Sequence, residues 1–239
     1  MMPVTLVVPC KDEALRLDQG AFLHAAETMP GLAFLFVDDG STDSTANILA
    51  HLVKASPVVD ALYLPKNVGK AEAVRAGVLH LLSSGGTGLV GFWDADLATP
   101  LEDVRRFVAA FEADPKLEMA IGSRWPHLGA SVDRSVFRAC TGGMMKLMIR
   151  WLLSAPVYDT QCGAKVMTRA LAERIFARRF VSRWLFDVEL FRRMGERRDI
   201  LRGVRELPLE FWRDVAGSKL TFRSAVFSVF DLLRVACDR

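Results

Sequence analysis

The sequence predicts an α/β protein: a single domain on a mostly parallel central sheet, with helices on both faces. Three observations lead there. Strand-like and helix-like segments alternate through the first half of the chain. The strand-like runs are apolar throughout rather than at every second residue, which marks strands buried on both faces. Acidic clusters directly follow two of these runs, Val37-Asp38-Asp39-Gly40-Ser41-Thr42-Asp43 and Trp93-Asp94-Ala95-Asp96. The carboxyl ends of strands are where open α/β sheets bind ligands.

The elements follow in order. Val4 to Val8 is a β-branched run that reads as the first strand, and Glu13 to Thr28 has helical spacing. Leu32 to Val37 is a second strand, followed by a helix from Thr42 to Lys54. Ala61 to Leu64 is a third strand and Ala71 to Leu82 its helix. Leu89 to Trp93 is a fourth strand, with a helix after Pro100 that ends near Asp114, and Glu118 to Ile121 is a fifth. The second half is less regular, with strands expected near Ala164 to Met167 and Val204 to Leu209. No linker-like stretch divides the chain. It reads as a nucleotide-binding half, about 1–123, sharing its sheet with a substrate-shaping half, about 124–239, that closes in a C-terminal flap and helix.

Composition narrows the class. A chain of 239 residues buries a sizeable core in one such domain. With 51% hydrophobic and 25% charged residues it is neither disordered nor of low complexity. The net charge of +3 is too small to argue a nucleic-acid partner. Cys10, Cys140, Cys162 and Cys237 form no C-x-x-C pair, and nothing reads as a secretory leader. The expectation is reduced thiols in a cytoplasmic protein. No window reaches about 18 uninterrupted apolar residues, so no transmembrane helix is expected. Two nucleotide loops fail: Gly69-Lys70 has Leu64 where a P-loop needs its first glycine, and no G-x-G-x-x-G follows the first strand.

Side chains one residue apart at a strand end share a face, so Asp94 and Asp96 can address one metal ion. Oxygen donors suit a hard cation such as Mg²⁺ or Mn²⁺. Taken alone, Asp38 to Asp43 reads equally as a helix N-cap. The segment Gly142 to Val157, GGMMKLMIRWLLSAPV, has the pattern of an interfacial helix with Lys146 and Arg150 on one edge, and equally that of a core helix. His24, His51 and His80 read as helix-surface residues without metal-ligand spacing, and His127 falls in a loop.

Pro9 to Glu13, Val37 to Asp43, Asn67-Val68-Gly69-Lys70, Asp94-Ala95-Asp96 and Gly122-Ser123-Arg124 occur in the order found in family 2 glycosyltransferases, which this chain resembles over nearly its whole length. Within that family it looks most like the dolichyl-phosphate glucosyltransferases and related polyprenyl-phosphate sugar transferases. Arg134-Ser135, Asp159 to Lys165, Arg183 to Glu189, and Trp212 with Gly217 to Leu220 carry this narrower likeness. Two departures stand out. Lys11 and Asp12 replace the usual aromatic and Asn, and the N-terminal membrane anchor of the eukaryotic members is not seen.

The resemblance implies a glycosyltransferase-A fold and an inverting, metal-dependent transfer of a hexose, glucose in the nearest members, from a UDP-sugar to a polyprenyl phosphate. The same donor chemistry with a hydroxyl acceptor on a glycolipid or polysaccharide is the alternative. A catalytically silent nucleotide-sugar-binding subunit is the non-enzyme reading. It further implies that Pro9, Lys11, Glu13, Asp39 and Lys70 line the nucleotide pocket. The metal-bound diphosphate lies by Asp94, Ala95 and Asp96, and Arg124, Arg213 and Lys219 meet phosphate oxygens. Glu13 and Lys70 read equally as helix-start residues. Arg134, Ser135, Arg138, Gln161, Trp184 and Glu189 fall to the acceptor, with Asp187, on the inward side of a helix, as the general base if the acceptor is a hydroxyl. A lipid phosphate is already ionised near neutral pH and needs positioning instead. The expected partners are the donor, the lipid, a membrane's cytosolic surface and an integral-membrane protein.

Overall fold

The computed structural model describes residues 1–86, 88–124, 131–133, 149, 152–153, 157–182, 185–213 and 234–235; of 131–133 and 213 it describes the backbone alone. The strands are β1 (Val4–Cys10), β2 (Leu32–Asp38), β3 (Val59–Tyr63), β4 (Leu89–Trp93), β5 (Met119–Ser123), β6 (Ser131–Asp133), β7 (Ala164–Thr168), β8 (Val204–Pro208) and β9 (Phe211–Arg213). The helices are α1 (Gln19–Thr28), α2 (Thr45–Ala55), α3 (Lys70–Ser83), α4 (Val104–Ala113), α5 (Arg169–Phe176), α6 (Phe186–Met194) and α7 (Arg197–Gly203).

Seven strands form one sheet in the order β3-β2-β1-β4-β7-β5-β8, while β6 and β9 pair separately. The four strands β3, β2, β1 and β4 run parallel, as do β5 and β8. β7 is antiparallel to both its neighbours. Its apolar run AKVM has the same pattern in either direction, so sequence periodicity does not reveal this reversal. The consequence is local: residues 159–163 reach β7 at the same edge where β4 and β5 end.

The interior divides into two layers. Phe22 of α1 meets Phe34 and Phe36 of β2 edge-on at 5.2 and 5.0 Å, in a layer that includes Leu49 and Leu52 of α2 and Phe107 and Phe111 of α4. The other layer takes Val74 and Val78 of α3, Ile175 and Phe176 of α5, and Phe186 and Leu190 of α6. The chain changes face after β3, so the strand order reverses between β1 and β4, the place where such sheets open a crevice at their carboxyl edge.

Two expectations need correction here. The first helix begins at Gln19, not Glu13, because Asp18 caps it by accepting from the Ala21 N–H at 3.0 Å; residues 13–17 form a turn closed by Arg16 and Leu17 N–H groups on the Glu13 carbonyl. Of the segment expected at a membrane interface, Ile149, Leu153 and Val157 are buried in the second layer. The rest of its apolar side from Met144 lies outside the described residues. Among the described residues no helix is long and apolar enough to cross a membrane.

Candidate active site

The loops after β1 and β2 are stitched together by side chains. Asp12, in the left-handed region at φ 55°, a conformation Asp tolerates better than most residues, accepts from the Thr42 N–H at 2.8 Å and its hydroxyl at 3.3 Å. Its own N–H donates to Ser41 Oγ at 3.0 Å. The Lys11 ammonium, and then these N–H groups, hold its carboxyl down at about 2. Asp43 accepts from the Ala14 and Thr45 N–H groups and from the Thr45 hydroxyl, which accepts from the Glu13 N–H at 2.8 Å. The acidic cluster is therefore a strut between loops. Glu13 is buried and chelates Arg16 at 3.0 and 2.6 Å. Burial pushes its carboxyl up against the pull of Arg16, and Asp96 and Asp43 add to the rise.

Behind this strut, Asp38 accepts from the Ser41 N–H at 2.9 Å. Asp39, 3% exposed, gives one oxygen to the Val68 N–H at 2.7 Å and the other to the Gly69 N–H at 2.9 Å, fixing the approach to α3. Gly40 adopts φ 63° and lies so close to Lys66 that a Cβ would come within 2.6 Å of its carbonyl carbon. Lys70, the first residue of α3 and expected along the nucleotide pocket, sends its ammonium to Asp94 Oδ1 at 2.5 Å. Burial opposes the lysine's charge, but Asp94, Asp187 and Asp96 outweigh it and its pKa lies above the ordinary lysine value. Lys70 and Asp94 thus pair at the carboxyl edge, with Asp187 and Asp96 near enough to act on the lysine's charge.

β4 ends at Trp93, so Asp94 and Asp96 stand in a turn rather than at alternate strand positions. Leu97, at φ 51°, closes it by donating its N–H to the Asp94 carbonyl. Trp93 is fully buried and donates from Nε1 to the Thr99 carbonyl at 2.8 Å, which anchors the turn. Asp96 accepts from the Ala98 N–H, and burial, then the charge of Asp94, raises its pKa. Ala95 between them is buried. Gly163 closes the far side: a Cβ there would sit 1.9 Å from Asp94 Oδ2, so only glycine admits the carboxylate.

Across the crevice the carboxylates meet cations. Arg124 follows β5 and clasps Asp159 with Nε at 2.6 Å and a terminal nitrogen at 2.7 Å, its backbone N–H adding 2.9 Å. The guanidinium lies 5.4 Å from the Trp212 ring centroid. Burial opposes its charge, yet the Asp159 pair more than compensates and raises its pKa. Glu206 holds the Tyr158 and Asp159 N–H groups. Asp187 is buried at the start of α6, facing inward, with its Oδ1 2.6 Å from the Lys165 ammonium. Glu189, expected at the acceptor, is buried instead: it accepts from the N–H groups of Val181 and Ser182 and pairs with Arg193 at 2.5 Å. Its role is to brace the loop before α6.

Pro9 is half-buried at the end of β1, Lys11 half-buried beyond it and Gln161 exposed in the turn before β7. Arg134, Ser135, Arg138, Trp184 and Lys219 lie outside the described residues, and Arg213 is described by its backbone in β9 alone. His24, His51 and His80 are exposed on helices. The sequence reading named Asp159, Gly163 and Lys165 within the narrower likeness but gave them no role in the site. One signal was available: a lysine inside the apolar run of β7 must find an anion if the strand is buried.

The family model for glycosyl transferase family 2 matches residues 5–175. The dolichyl-phosphate beta-glucosyltransferase ALG5C of Trichomonas vaginalis is 32% identical over 244 residues, 97% of this chain and 70% of that protein. The dolichyl-phosphate beta-glucosyltransferase of Dictyostelium discoideum is 32% identical over 97% of the chain and 73% of its own length. Among solved structures, glucosyl-3-phosphoglycerate synthase from Mycobacterium tuberculosis, in complex with Mn²⁺, UDP-glucose and phosphoglyceric acid, superposes with a TM-score of 0.67 at 15% identity, covering 98% of this chain and 80% of that one. The fold is thus of the glycosyltransferase-A type, and the chain belongs to glycosyl transferase family 2, a hexosyltransferase whose carboxyl sheet edge carries the constellation just described.

Proposed function

We propose that the protein transfers glucose from UDP-glucose to a polyprenyl phosphate of the dolichyl type, with inversion at the anomeric carbon. The observation that carries the sugar and the acceptor is the 32% identity to dolichyl-phosphate beta-glucosyltransferases over 97% of the chain. The UDP-sugar donor is supported by the UDP-glucose and Mn²⁺ held by a protein of the same fold. It is supported too by the crevice between β1 and β4.

The donor set fits a divalent ion. Asp94 and Asp96 are two hard oxygen donors; burial, then the charge of Asp94, raises the pKa of Asp96, and a cation between them relieves both the burial cost and the repulsion. Among the described residues no third His, Cys, Asp or Glu completes a cage, which suits Mg²⁺ or Mn²⁺ sharing its remaining positions with water and a diphosphate. Asp94 and Asp96 would hold the ion, which supplies Lewis-acid and electrostatic relief for the departing nucleoside diphosphate. Lys70 holds the Asp94 carboxylate in place. Asp39 fixes the α3 approach, and each of its oxygens keeps a second lone pair for a base or ribose donor. Glu13 and Pro9 border the same pocket.

An ionised phosphomonoester attacks without losing a proton. The chain's task on the acceptor side is then to orient a charged oxygen, for which Arg134, Arg138 and the Asp187 carboxylate are the groups assigned. The lipid is met at a membrane surface. Radiolabelled UDP-sugars offered one by one with dolichyl phosphate or a glycolipid, with and without EDTA, test the reading. Glucose transfer to dolichyl phosphate that EDTA abolishes is expected; exclusive transfer to a hydroxyl acceptor, or full activity in EDTA, overturns it. In the same assay Asp187→Asn should slow transfer less than Arg134→Ala, whose lost charge-assisted contact is worth roughly 10- to 150-fold. The reverse order would indicate a general base and a hydroxyl acceptor.

A further inference from the structure

Lys165 is the one lysine among the largest fully buried side chains, 0% exposed in a strand whose other residues are small or apolar. A buried ammonium is costly unless its protons find acceptors. Here Nζ donates to the Cys162 carbonyl at 2.6 Å and to Asp187 Oδ1 at 2.6 Å, and it stands 5.1 Å from the ring centroid of Phe92, its register partner on β4. Each contact leads to a different part of the site. Cys162 precedes Gly163, the residue whose missing side chain admits the Asp94 carboxylate. Asp187 lies buried in the first turn of α6, with its Oδ1 on the ammonium. One ammonium therefore joins the turn bordering Asp94 to a carboxylate 22 residues further along the chain. None of the donor-binding or leaving-group chemistry assigned above uses it.

We propose that Lys165 is a positioning residue for sugar transfer: it fixes Asp187 relative to the Gly163–Asp94 contact, so that the acceptor side and the diphosphate side of the crevice keep one spacing. The inference rests on the reading of this crevice as the transferase site. Lys165 never touches substrate; it acts through Asp187, with the Cys162 carbonyl as the anchor from which that carboxylate is held. A displacement on the order of 1 Å between reacting groups is enough to cost about 10²-fold in rate, whereas the nucleotide pocket around Asp39 lies on the other side of β4 and is left intact.

The test is a cycle of four proteins: wild type, Lys165→Met, Asp187→Asn and the double variant, each checked by circular dichroism. Lys165→Met should lower kcat about 10²-fold with the donor KM changed by less than about threefold. The double variant should be no slower than Asp187→Asn alone, because the lysine has no route to the reaction except through that carboxylate. It should also melt higher than Lys165→Met, which leaves a buried carboxylate without its cation. If Lys165→Met does not fold, the comparison of Asp187→Asn with the double variant decides. A normal kcat in Lys165→Met, losses that multiply in the double variant, or a donor KM that rises as kcat falls would each overturn the positioning role. A wild type that transfers no sugar at all would instead sink the reading of the site.

Discussion

The two walls of the crevice hold their carboxylates by different means. On the wall built from β1, β2 and the start of α3, Asp12, Asp38, Asp39 and Asp43 accept backbone N–H groups. On the wall built from β5, β7 and α6, Asp159, Asp187 and Glu189 are matched by Arg124, Lys165 and Arg193. An amide dipole orients an anion without cancelling it, so the first wall, even with Lys11 on Asp12 and Arg16 on Glu13, stays electronegative and open to hydroxyls, base N–H groups and cations. An ion pair cancels the charge, so the second wall is neutral, rigid and intolerant of losing either partner. Lys70 and Asp94 form the seam between them.

The comparison breaks most easily at Arg124. Asp159 is 2% exposed, and removing one partner of a buried pair typically costs about 3–5 kcal/mol because the other charge remains. Arg124→Met should lose that much in urea unfolding, and adding Asp159→Asn should recover a good part of it. A loss no larger than that of a carboxylate held by amides would erase the distinction between the walls.

Much of this was legible in the sequence, and the rest was hidden for identifiable reasons. The apolar runs located β1, β2, β4, β5 and β7, and the acidic clusters marked the carboxyl edge, because both are local patterns. The start of α1 was misplaced because helical spacing continues through residues 13–17, while the cap that ends the turn is a single side chain, Asp18. Asp94 and Asp96 were paired on a strand argument, yet they stand in a turn whose closure depends on Leu97. Above all, partners were not visible: Arg124 finds Asp159 35 residues away and Lys165 finds Asp187 22 away. Identity shows that a side chain carries charge; only the fold shows what cancels it.

Asp96 sharpens the contrast on the functional side. Burial and the charge of Asp94 raise its pKa, so its ionised form is held at a cost in the free protein. Asp96→Asn should therefore leave the melting temperature at neutral pH unchanged or higher. Transfer should fall by about 10²- to 10³-fold, the loss of one preorganised electrostatic contact in the transition state. A variant that melts well below wild type would show that Asp96 supports the fold and would move it to the second wall's behaviour.

Asp39→Asn probes the first wall directly. The amide keeps one acceptor oxygen, but its NH₂ then faces either the Val68 or the Gly69 N–H. One buried donor left unpaired costs about 1–3 kcal/mol, and the loop ahead of α3 should loosen. Denaturant unfolding gives the stability, and faster amide exchange at Val68 and Gly69 gives the site. An effect as large as that of Arg124→Met would mean that amide-held carboxylates are no more forgiving than ion-paired ones.

The smallest effect belongs to Asp12, an exposed group, and here the sign comes from its depressed pKa. The Lys11 ammonium and the Thr42 N–H favour its ionised form, bringing it from an ordinary 3.8 to about 2 in the folded protein. A carboxylate lowered on folding stabilises the native loops fully above its ordinary value and loses that contribution as pH falls toward and through the lowered one. The tie between the β1 and β2 loops should therefore persist at pH 3, where an unperturbed aspartate is already mostly protonated, and release near pH 2. The amide resonance of Thr42, followed by NMR against pH, reports it, with Asp12→Asn as the control that removes the transition. Lys11→Gln should move the midpoint upward, because the ammonium is the largest of the lowering influences. A wild-type midpoint near 3.8 would mean that the N–H ties of this wall orient the carboxylate without favouring its charge, and the electronegative character assigned to the donor side would lose its simplest support.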